Sequence, residues 1–341
     1  MKNRNWKIGA SLCAALALSL SAAAAPAGYH VLTSFTLGGD GGWDYINRDP
    51  ASGNLFITRG SHVMVADPVS GKLLGDIPNL MGIHGTAFAN GKAYVSEGGA
   101  NRVAVVDTKT LAKTGEIAVG GRPDSIIYDP FSKRLFTFNS TSKDSTAVDA
   151  ETGKVAGTVP LGGKPEAAVS DEAGTIYVNI EDKSELVAFD AKTLAVKKHY
   201  PLAPCEEPSG IAADLRHGRV FSGCDNKLIA VTDMKSGKVV AQIPIGEGVD
   251  ANRFDPVTGL IFSSNGESGT LTVAHEDSPD KFTVLQNLPT AEGARTMELD
   301  PATHKVFLVT AERKPGTPTA DQPKPRSVPV PGTFRLIVLG R

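Results

Sequence analysis

Residues 103–149, VAVVDTKTLAKTGEIAVGGRPDSIIYDPFSKRLFTFNSTSKDSTAVD, hold one full cycle of a pattern that fills the chain. The cycle opens and closes on an alternating apolar strand that ends in an acid, VAVVD at Asp107 and STAVD at Asp149. The same strand ends at Asp67, Asp190, Asp233 and Glu276, so the period is 40 to 43 residues. After most copies come a turn such as AETGK, a strand such as KVAGTVPLGG, a third strand such as DSIIYD, the turn PFSKR and a fourth strand such as LFTFN. Four short alternating strands per unit, punctuated by Gly, Pro, Asp and Ser, make one propeller blade. A repeat at this period outranks chain length, which alone suggests two domains. The turn aspartates have local work, accepting bonds from backbone amides while glycine supplies positive φ.

Inner strands begin at or near Asp44, Thr86, Asp124, Glu166, Ser209, Asp250 and Thr296, which makes seven blades. The last blade ends on FRLIVLGR at Arg341 and lacks an outer strand, whereas YHVLTSFTL from Tyr29 has no blade of its own. Pairing the two closes the ring and removes the exposed edges. The expected fold is therefore an all-β, seven-bladed β-propeller of four-stranded blades, one domain over 29–341, which needs no second copy for stability and is expected to be a monomer. The Pro-rich stretch 314–331, KPGTPTADQPKPRSVPVP, is expected to be a surface loop of the last blade that joins no ladder.

The N-terminus reads as a secretory signal peptide: Lys2, Arg4 and Lys7, an apolar run from Ile8 to Leu20, then small residues to Ala25. Cleavage is expected after Ala24, or as late as Ala27, and the mature chain is placed in the periplasm or outside the cell. A lipoprotein reading would use Cys13, but Leu12 stands where a small residue is needed. No other segment approaches the length of a membrane span. Loss of the three basic residues takes the formal charge from −2 to about −5, which argues against nucleic acid as a partner. The mature chain keeps Cys205 and Cys224 in an oxidising compartment. One leads into an inner strand and the other leaves the adjacent second strand, so an antiparallel pair brings them together, and a disulfide is expected.

Beyond the generic repeat, GGWDY (Gly41 to Tyr45), RPDSIIYDP, GKPEAAVSD, YVNIEDK, CEEPSG (Cys205 to Gly210) and SSNG resemble the YncE-like propellers with YVTN-type repeats, over essentially the whole mature chain. That resemblance implies a topology in which the loops leading into the inner strands share one face with the loops joining each blade's second and third strands. Asp44, His84, Asp124, Glu166, Glu206, Glu207, Asp250 and Arg295 would come from the first set, and Glu97, Glu181, Asp182, Asn265 and Glu267 from the second. Carboxylates converging on a channel mouth repel one another unless a cation, an arginine or protons compensate. A ligand site is expected there, with Asp44, Asp124, Glu166 and Asp250 as candidate ligands of a hard cation such as Ca²⁺ and Arg295 as the internal alternative.

GEGVDA (Gly246 to Ala251) matches a dinucleotide fingerprint, but a strand follows where a helix is required. There is no phosphate loop, HExxH or GxSxG, and Trp43 reads as core. The leading expectation is a non-catalytic propeller binding a small molecule, a metal ion or a protein partner. The rival is a metal-assisted hydrolase or lactonase on the same carboxylates, with His84 as general base.

Overall fold

The computed structural model describes Met1 and residues 28–317 and 327–341; the expected signal peptide and the middle of the Pro-rich stretch lie outside them. The repeat folds as read. Seven four-stranded antiparallel sheets follow one another around a ring, each with its strands in chain order from the axis outward, except the last. The first blade runs from Ile46–Arg48 to Leu73–Ile77, and the sixth from Val249–Asp255 to Lys281–Pro289. The seventh uses Met297–Asp300, Lys305–Thr310 and Arg335–Gly340, and takes His30–Thr36 as its outer strand. That strand pairs antiparallel from His30 with Gly340 to Thr36 with Arg335, so the two ends of the chain close the ring. The chain is a seven-bladed β-propeller.

The second and third strands of the blades are buried on both faces, because each blade is sandwiched between neighbours; Arg219–Cys224 and Leu260–Asn265 are buried throughout. Outer strands alternate instead. Cores therefore lie between blades: Phe136 of blade 3 meets Phe189 of blade 4 edge to face at 5.5 Å, and Leu55 and Ile57 of blade 1 pack with Leu336 and Val338 of blade 7. Turn aspartates act as expected. Asp107 accepts from the amides of Lys109 and Thr110 at 3.1 and 2.8 Å, and Asp149 from those of Glu151 and Thr152 at 3.1 and 2.7 Å. The same amide bonds, at Thr193 first, hold the Asp190 carboxyl down at about 2.

Two expectations about loops fare differently. Cys205 and Cys224 form a disulfide at the start of blade 5, with both residues buried. The Pro-rich stretch does touch a ladder, contrary to the reading that it could not: Arg313–Lys314 pairs with Val328–Pro329 in a two-residue ribbon. A proline is tolerated in so short a ribbon because it has an open edge on which no amide donor is required. Among the described residues no helix is long and apolar enough to cross a membrane.

Candidate functional site

Five of the seven ring residues owe their direction to a break in an inner strand. In blade 2 the ladder pairs Ile83 with Glu97 and resumes only at Thr86; in blade 3 it pairs Pro123 with Asn139 and resumes at Ile126. Blades 4, 5 and 6 break in the same place, after Pro165, Pro208 and Val249. The residue just past each break is His84, Asp124, Glu166, Ser209 or Asp250. A bulge frees a side chain from the alternation and re-aims it. Asp44 and Arg295 take the equivalent place, two residues ahead of the shorter inner strands of blades 1 and 7. One polar side chain per blade thus reaches the mouth, and hydroxyl or amide groups from adjoining strands pin the ring backbone: Ser96 Oγ donates to the Asp124 carbonyl at 2.5 Å, Asn179 Nδ2 to that of Ser209 at 3.0 Å and Thr296 Oγ1 to that of Asp44 at 2.7 Å.

The seven fall into three groups. His84 Nδ1 lies 2.7 Å from Asp44 Oδ2 and 3.7 Å from Asp124 Oδ1, which places two carboxylates on one ring nitrogen. Arg295 bridges Asp250, at 2.5 Å through Nε, and Asp44, at 3.3 Å through Nη2, while Ser209 Oγ donates to Asp250 at 2.9 Å. Lys164 binds Glu166 at 2.7 Å and also Glu181. Arginine as internal counter-ion, one of the options raised by the sequence, is therefore realised for Asp250.

The four-carboxylate metal set is not assembled. Asp44, His84 and Asp124 bring one ligand atom each within 4.8 Å of one another, but Glu166 and Asp250 are outside that group, committed to Lys164 and Arg295. Glu206 and Glu207 are exposed on the loop held by the disulfide, and only their backbone is engaged: their amides donate to Asn226 and Ser184, and the Glu206 carbonyl accepts the Asp225 amide. Asn265 is fully buried inside blade 6, donating to Thr270 and Thr272 and accepting from Ser263. Glu97 is likewise buried, bound by Arg102 at 3.0 Å and Lys113 at 3.1 Å. Sequence reasoning missed Lys164, and it aligned Ser209 with the other inner-strand starts without giving it a part in the site, although it stands at the ring position of blade 5.

Burial lifts the Asp124 carboxyl to about 6, with His84 pulling it down and Asp44 and Asp250 pushing it up. For His84, burial pulls down, but Asp44 and Asp124 outweigh it and raise the imidazole. Glu166 is raised by burial and by its contact with Glu181. Asp124 makes no hydrogen bond through its carboxylate among the described residues. A carboxyl whose folded pKa lies above its unfolded value loses stability as pH rises through that window. Asp124→Asn is therefore expected to unfold at higher denaturant than wild type at pH 8, by on the order of 1–2 kcal/mol, and to match it near pH 4. Urea titrations at both pH values check this; equal stability at pH 8 would mean that Asp124 is not held against its charge.

Below the ring, a channel of about 290 Å³ is lined by small residues such as Gly85, Ser125, Ala167 and Ala251, with Tyr45 at its side. Beside the ring, between blades 6 and 7, lies a cavity of about 500 Å³ walled by Asp250, Glu267, Glu292, Arg295, Arg313 and Ser327. Trp43 belongs to the core, as expected, tilted against Phe334 at 5.4 Å with its indole N–H on the Gly293 carbonyl.

No protein-family model and no curated protein matches the chain. Solved structures do. A chain of the mitotic checkpoint complex matches with a TM-score of 0.74 at 13% identity, over 96% of this chain and 99% of that one. The hydrazine synthase of Kuenenia stuttgartiensis matches with a TM-score of 0.70 at 15% identity, over 78% of this chain and 92% of that one. The likeness is one of fold. At such identities it carries the blade architecture and nothing of the ring chemistry, because ligands are chosen by residues grafted onto a scaffold that many functions share.

Proposed function

We propose that the chain is a secreted, periplasmic binding propeller of the YncE-like kind, whose mouth takes a divalent cation on Asp44, His84 and Asp124. The observation that carries this reading is the Asp124 carboxylate, largely buried, facing a shared imidazole nitrogen at 3.7 Å with no nearer donor. A cation placed there relieves the repulsion that Asp124 feels from Asp44 and Asp250, which Arg295, seated on the other two, leaves in place. One imidazole nitrogen and two carboxylates suit Mn²⁺ or Zn²⁺ better than the all-oxygen preference of Ca²⁺. The neighbouring cavity of about 500 Å³ is the size of a small-molecule site and gives an organic ligand or a partner's side chain room beside the ion.

Binding is favoured over metal-assisted hydrolysis by the setting of His84. Its Nδ1 faces Asp44 in the empty site and would be a ligand in the filled one, and its Nε2 edge lies against Gly98, where an added Cβ would come within 3.0 Å. That leaves the imidazole poorly placed to take a proton from a water in the channel. The apolar leader and the disulfide both support the compartment.

Chelator-stripped protein at pH 7.5 is expected to melt several degrees higher with Mn²⁺ or Zn²⁺, and Asp124→Asn and His84→Ala are each expected to lose the mouth's share of that gain, read as a smaller rise than wild type shows. The gain should fade below pH 6, where protons occupy His84 and Asp124 in competition with the metal. Melting unchanged by either ion in wild-type protein would remove the proposal.

A further inference from the structure

The opposite face of the propeller carries a second constellation. Glu276 occupies the repeat position held elsewhere by Asp67, Asp107, Asp149, Asp190 and Asp233. Those aspartates cap the amides of the tight turn that follows. Blade 6 has no such turn at that point: its third strand runs on to Ser278, which pairs with Lys281. Glu276 is thereby released from capping. Its side chain turns to blade 5, where it lies against Asp214 and His217.

His217 Nδ1 is 2.6 Å from Asp214 Oδ2 and 2.9 Å from Glu276 Oε1. The carboxylate side chains are only 2% and 3% exposed, and the imidazole is 30% exposed, so the cluster opens to solvent on the histidine side. The three ligand atoms fall within 4.8 Å of one another. Asp214 also accepts the amides of Arg216 and His217, as its turn requires. Glu276 has no such support: Oε1 meets only His217, and Oε2 is offered no donor among the described residues.

The other blades show what usually stands here. Asp129 receives Ser170 Oγ from the next blade, Asp255 receives His304, and Asp300 receives Arg48. These three buried turn aspartates meet a neutral or cationic donor across the blade boundary and Asp49 is bonded only within its own turn, whereas Asp214 meets a second buried acid. The adjacent Arg219 does not compensate, because its guanidinium is spent on Asp233 at 2.6 Å and Asp280 at 2.7 Å. Four carboxylates thus surround one guanidinium and one imidazole. Two buried carboxylates that share a single imidazole nitrogen call for a further cation or a proton.

We propose that Asp214, His217 and Glu276 form a divalent transition-metal site that clips blade 5 to blade 6 on the face opposite the mouth. One imidazole nitrogen and two carboxylate oxygens are a common protein donor set for Zn²⁺, Co²⁺ or Mn²⁺, with a fourth position left to water on the exposed histidine side. The clip crosses a blade boundary, so the metal stabilises the ring rather than presenting a ligand. It does not depend on the reading of the mouth.

The test uses the mature chain carrying His84→Ala and Asp124→Asn, so that the mouth cannot contribute. After stripping with chelator, this protein is expected to bind one equivalent of Co²⁺ with visible d–d absorption and to melt at higher temperature when loaded. Adding Glu276→Gln, which keeps the side chain's shape, is expected to weaken uptake by 100-fold or more, and His217→Ala to do the same. Absence of Co²⁺ uptake by the mouth variant overturns the proposal, and so does uptake that survives Glu276→Gln. If Glu276→Gln simply raises the melting point and the parent binds no metal, the pair is held by a shared proton.

Discussion

Removal of residues 28–37 is expected to abolish the cooperative fold. Those residues supply the outer strand of blade 7, His30–Thr36, together with Tyr29 and Leu37, which are 3% and 7% exposed. Tyr29 packs edge to face on Phe262 at 5.0 Å and donates its hydroxyl to the His304 carbonyl at 2.6 Å. Losing the burial of these two side chains costs about 5 kcal/mol, at roughly 1.5–3 kcal/mol each. That sum approaches the whole stability of many domains. The strand Arg335–Gly340 would also become a free edge with Leu336, Ile337, Val338 and Leu339 against it, which invites pairing with another chain. Size-exclusion chromatography and thermal melting of the shortened chain check this, and a synthetic peptide of residues 28–37 should partly restore the parent's elution and melting. A shortened chain that elutes and melts like the parent would show that the ring does not depend on closure by its two ends.

Reduction of Cys205–Cys224 is the second large effect. The bridge spans 19 residues and ties the loop ahead of Pro208 to the end of Arg219–Cys224, where Pro208 and Cys224 are paired. Closing a loop of that length stabilises by about 3 kcal/mol on the chain-entropy model. Urea unfolding with and without reductant should show that difference, and Cys205→Ser with Cys224→Ser should reproduce it without reductant. Two reactive thiols in the folded, unreduced protein would refute the bridge outright.

The order of strands, the number of blades and the closure by the first strand were legible because the repeat imposes them: an alternating strand ending in an acid every 40 to 43 residues leaves no other regular packing. The ring was legible in part. Asp44, Asp124, Glu166 and Asp250 do reach the mouth, since all stand at one position of the repeat. Their partition into separate groups was not legible, because it depends on which side chain lies across each blade boundary. Lys164 lies two residues before Glu166, yet only the packing of blade 4 shows that it also takes Glu181.

Asn265 and Glu97 were misplaced for a common reason. They end second strands, and those strands are buried on both faces between neighbouring blades. Alternation distinguishes inside from outside only when one face meets water. Glu206 and Glu207 stand exposed on the loop tied by the bridge, with Glu207 in the left-handed region at φ 46°, and among the described residues neither side chain joins the ring's ion pairs. The far-face cluster could have been suspected from one sign: Glu276 replaces the aspartate of every other copy, and the turn motif after it is missing.

The charge pattern of the mouth agrees with a site built to be filled. A largely buried acid raised to about 6, an imidazole raised by two carboxylates, and an arginine that satisfies only Asp250 and Asp44 leave one position where positive charge is wanted. Such an arrangement lowers stability when empty, and binding sites commonly trade stability for that readiness.

The most direct measurement is anomalous scattering from crystals of chelator-stripped protein soaked in Mn²⁺. A peak at metal-ligand distance from Asp124, Asp44 and the Nδ1 of His84 is the expected result. Crystals that show no peak at the mouth, with His84 still bonded to Asp44 and Asp124 still without a partner, would contradict it.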